Sequence, residues 1–196
     1  MGTRKVMTLL DCGALVTVVS PDITDVLLEL ANDSSIVLKK RPYQASDLEG
    51  MFLVIGTTNN AKLNRQISND ARRLKILCNI ADCPKACNFM LPSIVKRGDL
   101  VIAISTSGKS PALAKRLRKD LEKEFGEEYA DFLRLMGAIR EKLLRKKHEP
   151  EAHKHIFEQL INRGLVEMIR DRKKEDINSL LLEILGEGYE FESLMQ

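Results

Sequence analysis

Apolar positions along this chain alternate between two spacings, and the alternation predicts the elements. In Thr3–Cys12 (TRKVMTLLDC), Val6, Leu9 and Leu10 form one helical stripe, and Gly13 stands where such a helix would stop. Leu15–Val19 (LVTVV) is a short β-branched run and Phe52–Ile55 (FLVI) a wholly apolar one, so both read as buried strands. Ile36–Leu38 and Lys75–Ile80 read as two further strands, with helices over Ile23–Ala31 and Ala61–Leu74 between the runs. Ser20-Pro21-Asp22 ends the first strand and caps the helix predicted from Ile23. Strands that alternate with helices and are apolar on both faces predict a parallel sheet covered on both sides.

The pattern changes after Pro84. Phe89–Leu91 and Leu100–Ile104 read as strands joined by a hairpin-like connection, Val95-Lys96-Arg97-Gly98-Asp99, and Pro111–Glu124 reads as a helix. From Glu127 the chain reads as wholly helical. Phe132, Leu135, Met136, Ile139 and Leu143 recur at helical spacing, then Ile156, Phe157, Leu160 and Ile161, then Ile177, Leu180, Leu181, Ile184 and Leu185, with Gly164 and Gly186 as interruptions. The expected class is α/β. It comprises a sheet domain over 1–87, a small α+β region over 88–126 and a helical region over 127–196. The stripe on Phe132–Leu143 suits burial against a partner or against the chain's own helices.

Composition narrows the function classes. The 196 residues are 44% hydrophobic and 30% charged, ordinary values for a globular protein. The longest uncharged apolar runs, Met51–Ile55 and Leu100–Ile104, are far short of the roughly 20 residues a membrane span needs. No signal-like apolar core follows the N-terminus, so the expected location is cytoplasmic, without a membrane. A net charge of +3 does not argue for nucleic acid. The basic run Arg140–Lys147 reads as the polar face of an amphipathic helix with Leu143 and Leu144 turned inward. Cys12, Cys78, Cys83 and Cys87 read as reduced thiols, and the last three lack the paired spacing of a zinc site. His148, His153 and His155 read as a solvated helix end. No metal site is expected.

Ligands of parallel sheets sit beyond the carboxyl ends of the strands, which here points to Ser20–Asp22, Gly56–Asn60 and Asn79–Pro84. A dinucleotide-binding fold begins with a strand, then G-x-G-x-x-G, then a helix whose N-terminus holds the pyrophosphate. This chain opens at that helix with Met1-Gly2-Thr3-Arg4-Lys5, and Gly2 takes the place of the last glycine. The strands at Leu15–Val19 and Phe52–Ile55 would each lose a neighbour, leaving backbone groups unpaired at about 1–3 kcal/mol each. The working protein is therefore expected to start further upstream.

Asp82 lies in the turn that ends the strand before Pro84. It reads either as a turn cap or as a carboxylate handling protons in a pocket. Ser105-Thr106-Ser107-Gly108-Lys109-Ser110 opens the helix at Pro111. Ser110 is a natural N-cap, and the loop is also a ready cradle for anions. The acid and the cradle are expected to border one cavity.

Taken together, these stretches resemble the siroheme synthase N-terminal family of NAD-dependent precorrin-2 dehydrogenases, often also sirohydrochlorin ferrochelatases. The resemblance runs over about residues 2–124. It rests on Gly2-Thr3-Arg4-Lys5, Gly13–Pro21, Asp47-Leu48, Phe52–Asn59, Asn79-Ile80-Ala81-Asp82, Phe89–Ser93 and Ala103-Ile104-Ser105-Thr106 through Ser110-Pro111. It implies a Rossmann-like sheet with its first strand missing from this chain, an NAD cofactor and a catalytic Asp82. Gly2, Thr3, Pro21, Asp22, Thr57, Thr58 and Asn59 would line the cofactor, with Asp22 near the adenosine ribose if it is not simply a helix cap. Ser105, Thr106, Ser107, Gly108, Lys109 and Ser110 would bind the carboxylate-rich tetrapyrrole, and the family often has glycine where Ser107 stands. The 88–126 region would form a homodimer, and ferrous iron would be a second substrate where siroheme is completed. Two other readings stay open. One is a tetrapyrrole-binding protein or chelatase without the redox step, and the other is a sheet-based regulatory module without catalysis.

Overall fold

The apolar runs of the N-terminal half become parallel strands, in two pairs rather than one continuous sheet. The computed structural model describes residues 1–81, 83–145 and 150–196. Strand β1 (Thr17–Val19) pairs with β2 (Val37–Lys39), and β3 (Leu53–Gly56) pairs with β4 (Leu77–Ile80), both in parallel. Among the described residues no pairing joins β1 to β3. Helix α1 (Gly2–Asp11) and helix α2 (Asp25–Asn32) close over the first pair, burying Val6, Leu27 and Ile36. Helix α3 (Ala61–Arg73) covers the second, with Leu48, Ile67, Ala71, Cys78, Ile80 and Ala86 in a separate cluster.

Two local readings are corrected here. Helix α2 begins at Asp25 with Thr24 as its N-cap residue, so Asp22 does not cap it. Phe89–Leu91 is not a strand. Its Phe89 N–H donates to the Cys78 carbonyl at 3.3 Å, so this backbone closes the free edge of β4 instead. The hairpin partner is β5 (Ser93–Arg97), antiparallel to β6 (Leu100–Ile104), and only Gly98-Asp99 connects them. Gly98 has φ +55°, and a Cβ there would lie 2.9 Å from that of Ala130, so a side chain would be both strained and crowded.

The chain divides into two compact units, Met1–Leu91 and Pro92–Gln196. In the second, α4 (Pro111–Glu124) packs on the hairpin, and Arg97 donates to the Glu122 carbonyl at 2.9 Å. Helices α5 (Glu128–Arg145), α6 (Pro150–Asn162), α7 (Leu165–Arg170), α8 (Lys174–Leu185) and α9 (Phe191–Leu194) follow. The stripe Phe132, Leu135, Ile139 and Leu143 is buried against Leu160, Leu165, Ile177 and Leu181 of the chain's own helices. Leu144, one residue further round α5, is 57% exposed and not turned inward. His153 is likewise not solvated. It is buried, on the same face of α6 as Ile156, Phe157 and Leu160, while His155 is exposed. His148 lies outside the described residues.

Candidate functional site

The carboxyl ends of β1 and β3 lead into loops that meet the start of α1. A Cβ built on Gly2 would lie 3.1 Å from Thr57 Oγ1, a distance that only glycine accommodates without a shift. On the other side, the Thr3 and Thr24 hydroxyls are hydrogen-bonded at 3.1 Å. The N-terminus of α1 is thus wedged between the loop after β1 and the loop after β3. This is the carboxyl end of the strands, where parallel sheets bind ligands. Gly2 and Thr3 stand at the start of α1, Pro21 and Asp22 in the loop after β1, and Thr57, Thr58 and Asn59 in the loop after β3.

The chemistry of this place suits a dinucleotide. Helix α1 has no acidic residue in its first turn and no side-chain cap, so its first N–H groups face outward uncompensated. Helix α3 differs, because Asn60 Oδ1 already accepts from the N–H groups of Lys62 at 3.0 Å and Leu63 at 3.1 Å. Of these two helix starts, the one left open to an anion is that of α1. Burial, and after it the neighbouring Arg4, pushes the Lys5 ammonium below the ordinary lysine range. A phosphate beside it would offset that cost. Pro21 and Asp22 are exposed, and Thr24, not Asp22, stands at the N-cap position of α2. Thr58 has a different job from Thr57. Its hydroxyl donates to Asn64 Oδ1 at 2.7 Å, and Asn64 Nδ2 donates back to its carbonyl at 3.0 Å, which stiffens the loop. Asn59 is exposed at the tip.

A second polar cluster braces the loop after β2. Asp47, 8% exposed, accepts from Arg41 at 2.6 and 2.8 Å, from Lys39 Nζ at 3.1 Å and from the Gln44 N–H at 2.9 Å. The Arg41 guanidinium, above all, holds this carboxyl well below the usual carboxylate range. Asp47 thus serves the loop's shape, and Leu48 beside it plugs the β3–β4 core.

Asp82, expected to be catalytic, lies outside the described residues. Its neighbours are held: the Ala81 N–H donates to the Gly56 carbonyl at 2.8 Å, and the Cys83 N–H to that of Ile80 at 3.3 Å. The Ser105–Ser110 loop, in the second unit, is organised by its own hydroxyls. Ser105 Oγ accepts from the Ser107 N–H at 3.1 Å and Thr106 Oγ1 from the Ser110 N–H at 3.2 Å. Ser110 Oγ accepts from the Leu113 N–H at 3.2 Å, so it is the N-cap of α4. Each hydroxyl accepts a backbone bond and keeps its proton for an outside acceptor such as a carboxylate. Ser107 and Gly108 both have left-handed backbones, at φ +51° and +74°, and the side chains of Ser105, Ser107 and Lys109 are exposed. Sequence reasoning passed over Thr24, which bridges to Thr3, although a threonine directly before Asp25 is itself an N-cap signal.

Comparison with known proteins gives a consistent picture. Residues 1–93 match the family described as "Putative NAD(P)-binding", and residues 97–124 match "Sirohaem biosynthesis protein central". The siroheme synthase of Methylococcus capsulatus is 34% identical over 183 residues, covering 93% of this chain and 39% of that protein. The siroheme synthase of Pseudomonas fluorescens is 40% identical over 137 residues, covering 70% of this chain and 30% of its own. The chain thus spans about two fifths or less of the curated relatives it matches. Among solved structures, SirC, a precorrin-2 dehydrogenase, superposes with a TM-score of 0.76 at 25% identity, covering 93% of this chain and 87% of that one.

Proposed function

The chain belongs to the siroheme synthase N-terminal family, and on that premise we propose that it is an NAD-dependent dehydrogenase that oxidises precorrin-2 to sirohydrochlorin in siroheme biosynthesis. The observation that supports this most is the wedge of α1 between the loops after β1 and β3. It brings an uncapped helix start, Gly2, Thr57 and Thr24 to one place.

In this reading the first N–H groups of α1 and Lys5 hold the pyrophosphate, Gly2 lets it approach, and Asp22 bonds the ribose hydroxyls. NAD, when bound, accepts the hydride that precorrin-2 gives up. Asp82 takes the proton released as the C–H and N–H bonds of the macrocycle reorganise, so that hydride and proton leave as a balanced pair. Ser105, Thr106, Ser107, Lys109, Ser110 and the Gly108 backbone bind the peripheral carboxylates of the tetrapyrrole. If ferrous iron is a second substrate, the same carboxylate accepts the pyrrole protons that the metal displaces.

The functional form is a homodimer joined through the β5–β6 hairpin. What supports this is the outward face of that hairpin, where Ile94 and Val101 are exposed, with Leu113 and Leu117 exposed on α4. The protein works in the cytoplasm, and no helix among the described residues is long and apolar enough to cross a membrane.

The test is NADH formation by the purified chain with precorrin-2 and NAD, followed by addition of ferrous iron, for the wild type and Asp82→Asn. Loss of a general base costs about a hundredfold or more, and the variant is expected to lose at least that. A wild type that binds precorrin-2 without forming NADH would replace this reading with a non-redox tetrapyrrole protein. An Asp82→Asn variant as fast as the wild type would remove the carboxylate from the chemistry.

A further inference from the structure

The outer edge of β4 is closed by side chains. In a parallel pair, alternate residues of a strand bond to the partner, and the others point their N–H and C=O groups the opposite way. Leu77 and Ala81 donate to β3 or its approach, through the carbonyls of Phe52 and Gly56. Cys78 and Ile80 therefore face away from it. The Cys78 N–H donates to Asn88 Oδ1 at 2.6 Å, and Asn88 Nδ2 donates to the Ile76 carbonyl at 3.0 Å. The Ile80 N–H, last of the strand, donates to the sulfur of Cys87 at 3.1 Å.

That thiol has further neighbours. Its S–H can serve the Cys83 carbonyl at 3.3 Å or the Ile80 carbonyl at 3.4 Å, one at a time. Asn79 Nδ2 lies 3.8 Å from the same sulfur and donates to the Phe89 carbonyl at 3.0 Å. Cys87 also packs on the β3–β4 core. Packing does not explain why the side chain touches the peptides of Ile80 and Cys83, which bracket Asp82 in the chain.

We propose that Cys87 is a positioning residue: its thiol ties off the last residue of β4 by accepting the Ile80 N–H, and its own proton bonds the carbonyl of Ile80 or of Cys83, residues that precede and follow Asp82 in the chain. The proposal rests on the reading of Asp82 as the proton acceptor. A carboxylate on a turn must be held to a fraction of an ångström to work as a base, and misplacement by about 1 Å costs up to about a hundredfold. Here the turn is anchored toward β3 by Ala81 and on the far side by a thiol that both accepts and donates.

The experiment compares the wild type, Cys87→Ala and Cys87→Ser in the full chain. Cys87→Ala is expected to lower kcat about tenfold, with KM for NAD unchanged, because the α1 site is untouched. The limb of the pH–rate profile set by Asp82 is expected to shift. Cys87→Ser keeps a group that donates and accepts, and is expected to recover most of the rate. Wild-type kcat and an unshifted limb in Cys87→Ala would overturn the proposal. So would equal losses in Ala and Ser that merely track a lower Tm. If the wild type forms no NADH, the dehydrogenase reading falls instead, and the thiol is judged by amide exchange. Cys87→Ala must then speed exchange at Ile80, and unchanged exchange would refute the tie.

Discussion

The two units are stabilised by different means. The second gathers Phe132, Leu135, Ile139, Leu143, Leu160, Leu165, Ile177, Leu180 and Leu181 into a single apolar cluster. The first has two small clusters, one under β1–β2 and one under β3–β4, and holds its loops with polar side chains. Asp47 ties the loop after β2, Thr58 and Asn64 the loop after β3, Asn88 and Cys87 the return after β4. Ser68 Oγ, also buried, donates to the Ala86 carbonyl at 2.7 Å. Apolar burial is non-directional and sets stability without aiming any one group. Hydrogen bonds are directional, so the unit that offers loops to a cofactor is the one pinned by them. Shape in the first unit should therefore depend on charge, and in the second on volume.

The largest expected effect tests the volume side. Leu135 is fully buried, and Leu135→Ala should cost about 3–4 kcal/mol, the transfer loss plus the cavity left behind. Thermal melts should show it, with faster amide exchange in α5 and its neighbours. Because nothing titrates, the deficit should persist at low pH. A cost below about 1 kcal/mol would mean that the cluster collapses around the gap and is not close-packed.

Asp47→Ala is the charge counterpart and should cost about 2 kcal/mol, a figure reduced because Lys39 and Arg41 are partly solvent-facing. The Asp47 carboxyl titrates well below its unfolded value of about 3.9, so its contribution is complete above that pH and fades as acid protonates the folded form. The difference between wild type and variant should therefore shrink as pH falls below about 4. A gap constant down to pH 2 would show that Asp47 acts by packing and would break the contrast between the units.

Much of the architecture could be read from the sequence because it is local. Pro111–Glu124 was bounded correctly because Ser110 and Pro111 carry their own start signal, and the buried stripe from Phe132 to Leu143 because spacing alone defines it. The hairpin was misplaced because Phe89–Leu91 is as apolar as a strand. Its backbone is recruited by the edge of β4 through Asn88, a contact between residues far from pairing in sequence. Asp47 could be seen only as part of a motif, since its partners Lys39 and Arg41 depend on the path of the loop. The strand-end tie made by Cys87 is not legible in the sequence, because no spacing rule encodes a thiol accepting a backbone N–H. The Ser105–Ser110 cradle was legible because its residues are contiguous.

The smallest expected effect concerns that cradle, where the second unit relies on hydroxyls. Ser107 holds φ +51°, a conformation that costs a residue with a Cβ roughly 1–2 kcal/mol. Glycine removes that cost but gives back about 0.5–1 kcal/mol in unfolded-chain entropy. Ser107→Gly should thus stabilise by about 0.5–1 kcal/mol and raise Tm by a few degrees. The Ser107 N–H still donates to Ser105 Oγ in the variant, so the loop keeps its shape and loses only one exposed hydroxyl. KM for the tetrapyrrole should rise slightly, with kcat unchanged, if that hydroxyl meets a carboxylate. A lower Tm would mean that the Ser107 side chain holds the loop in place, and the strain would then be the consequence of a contact instead of a cost carried for binding.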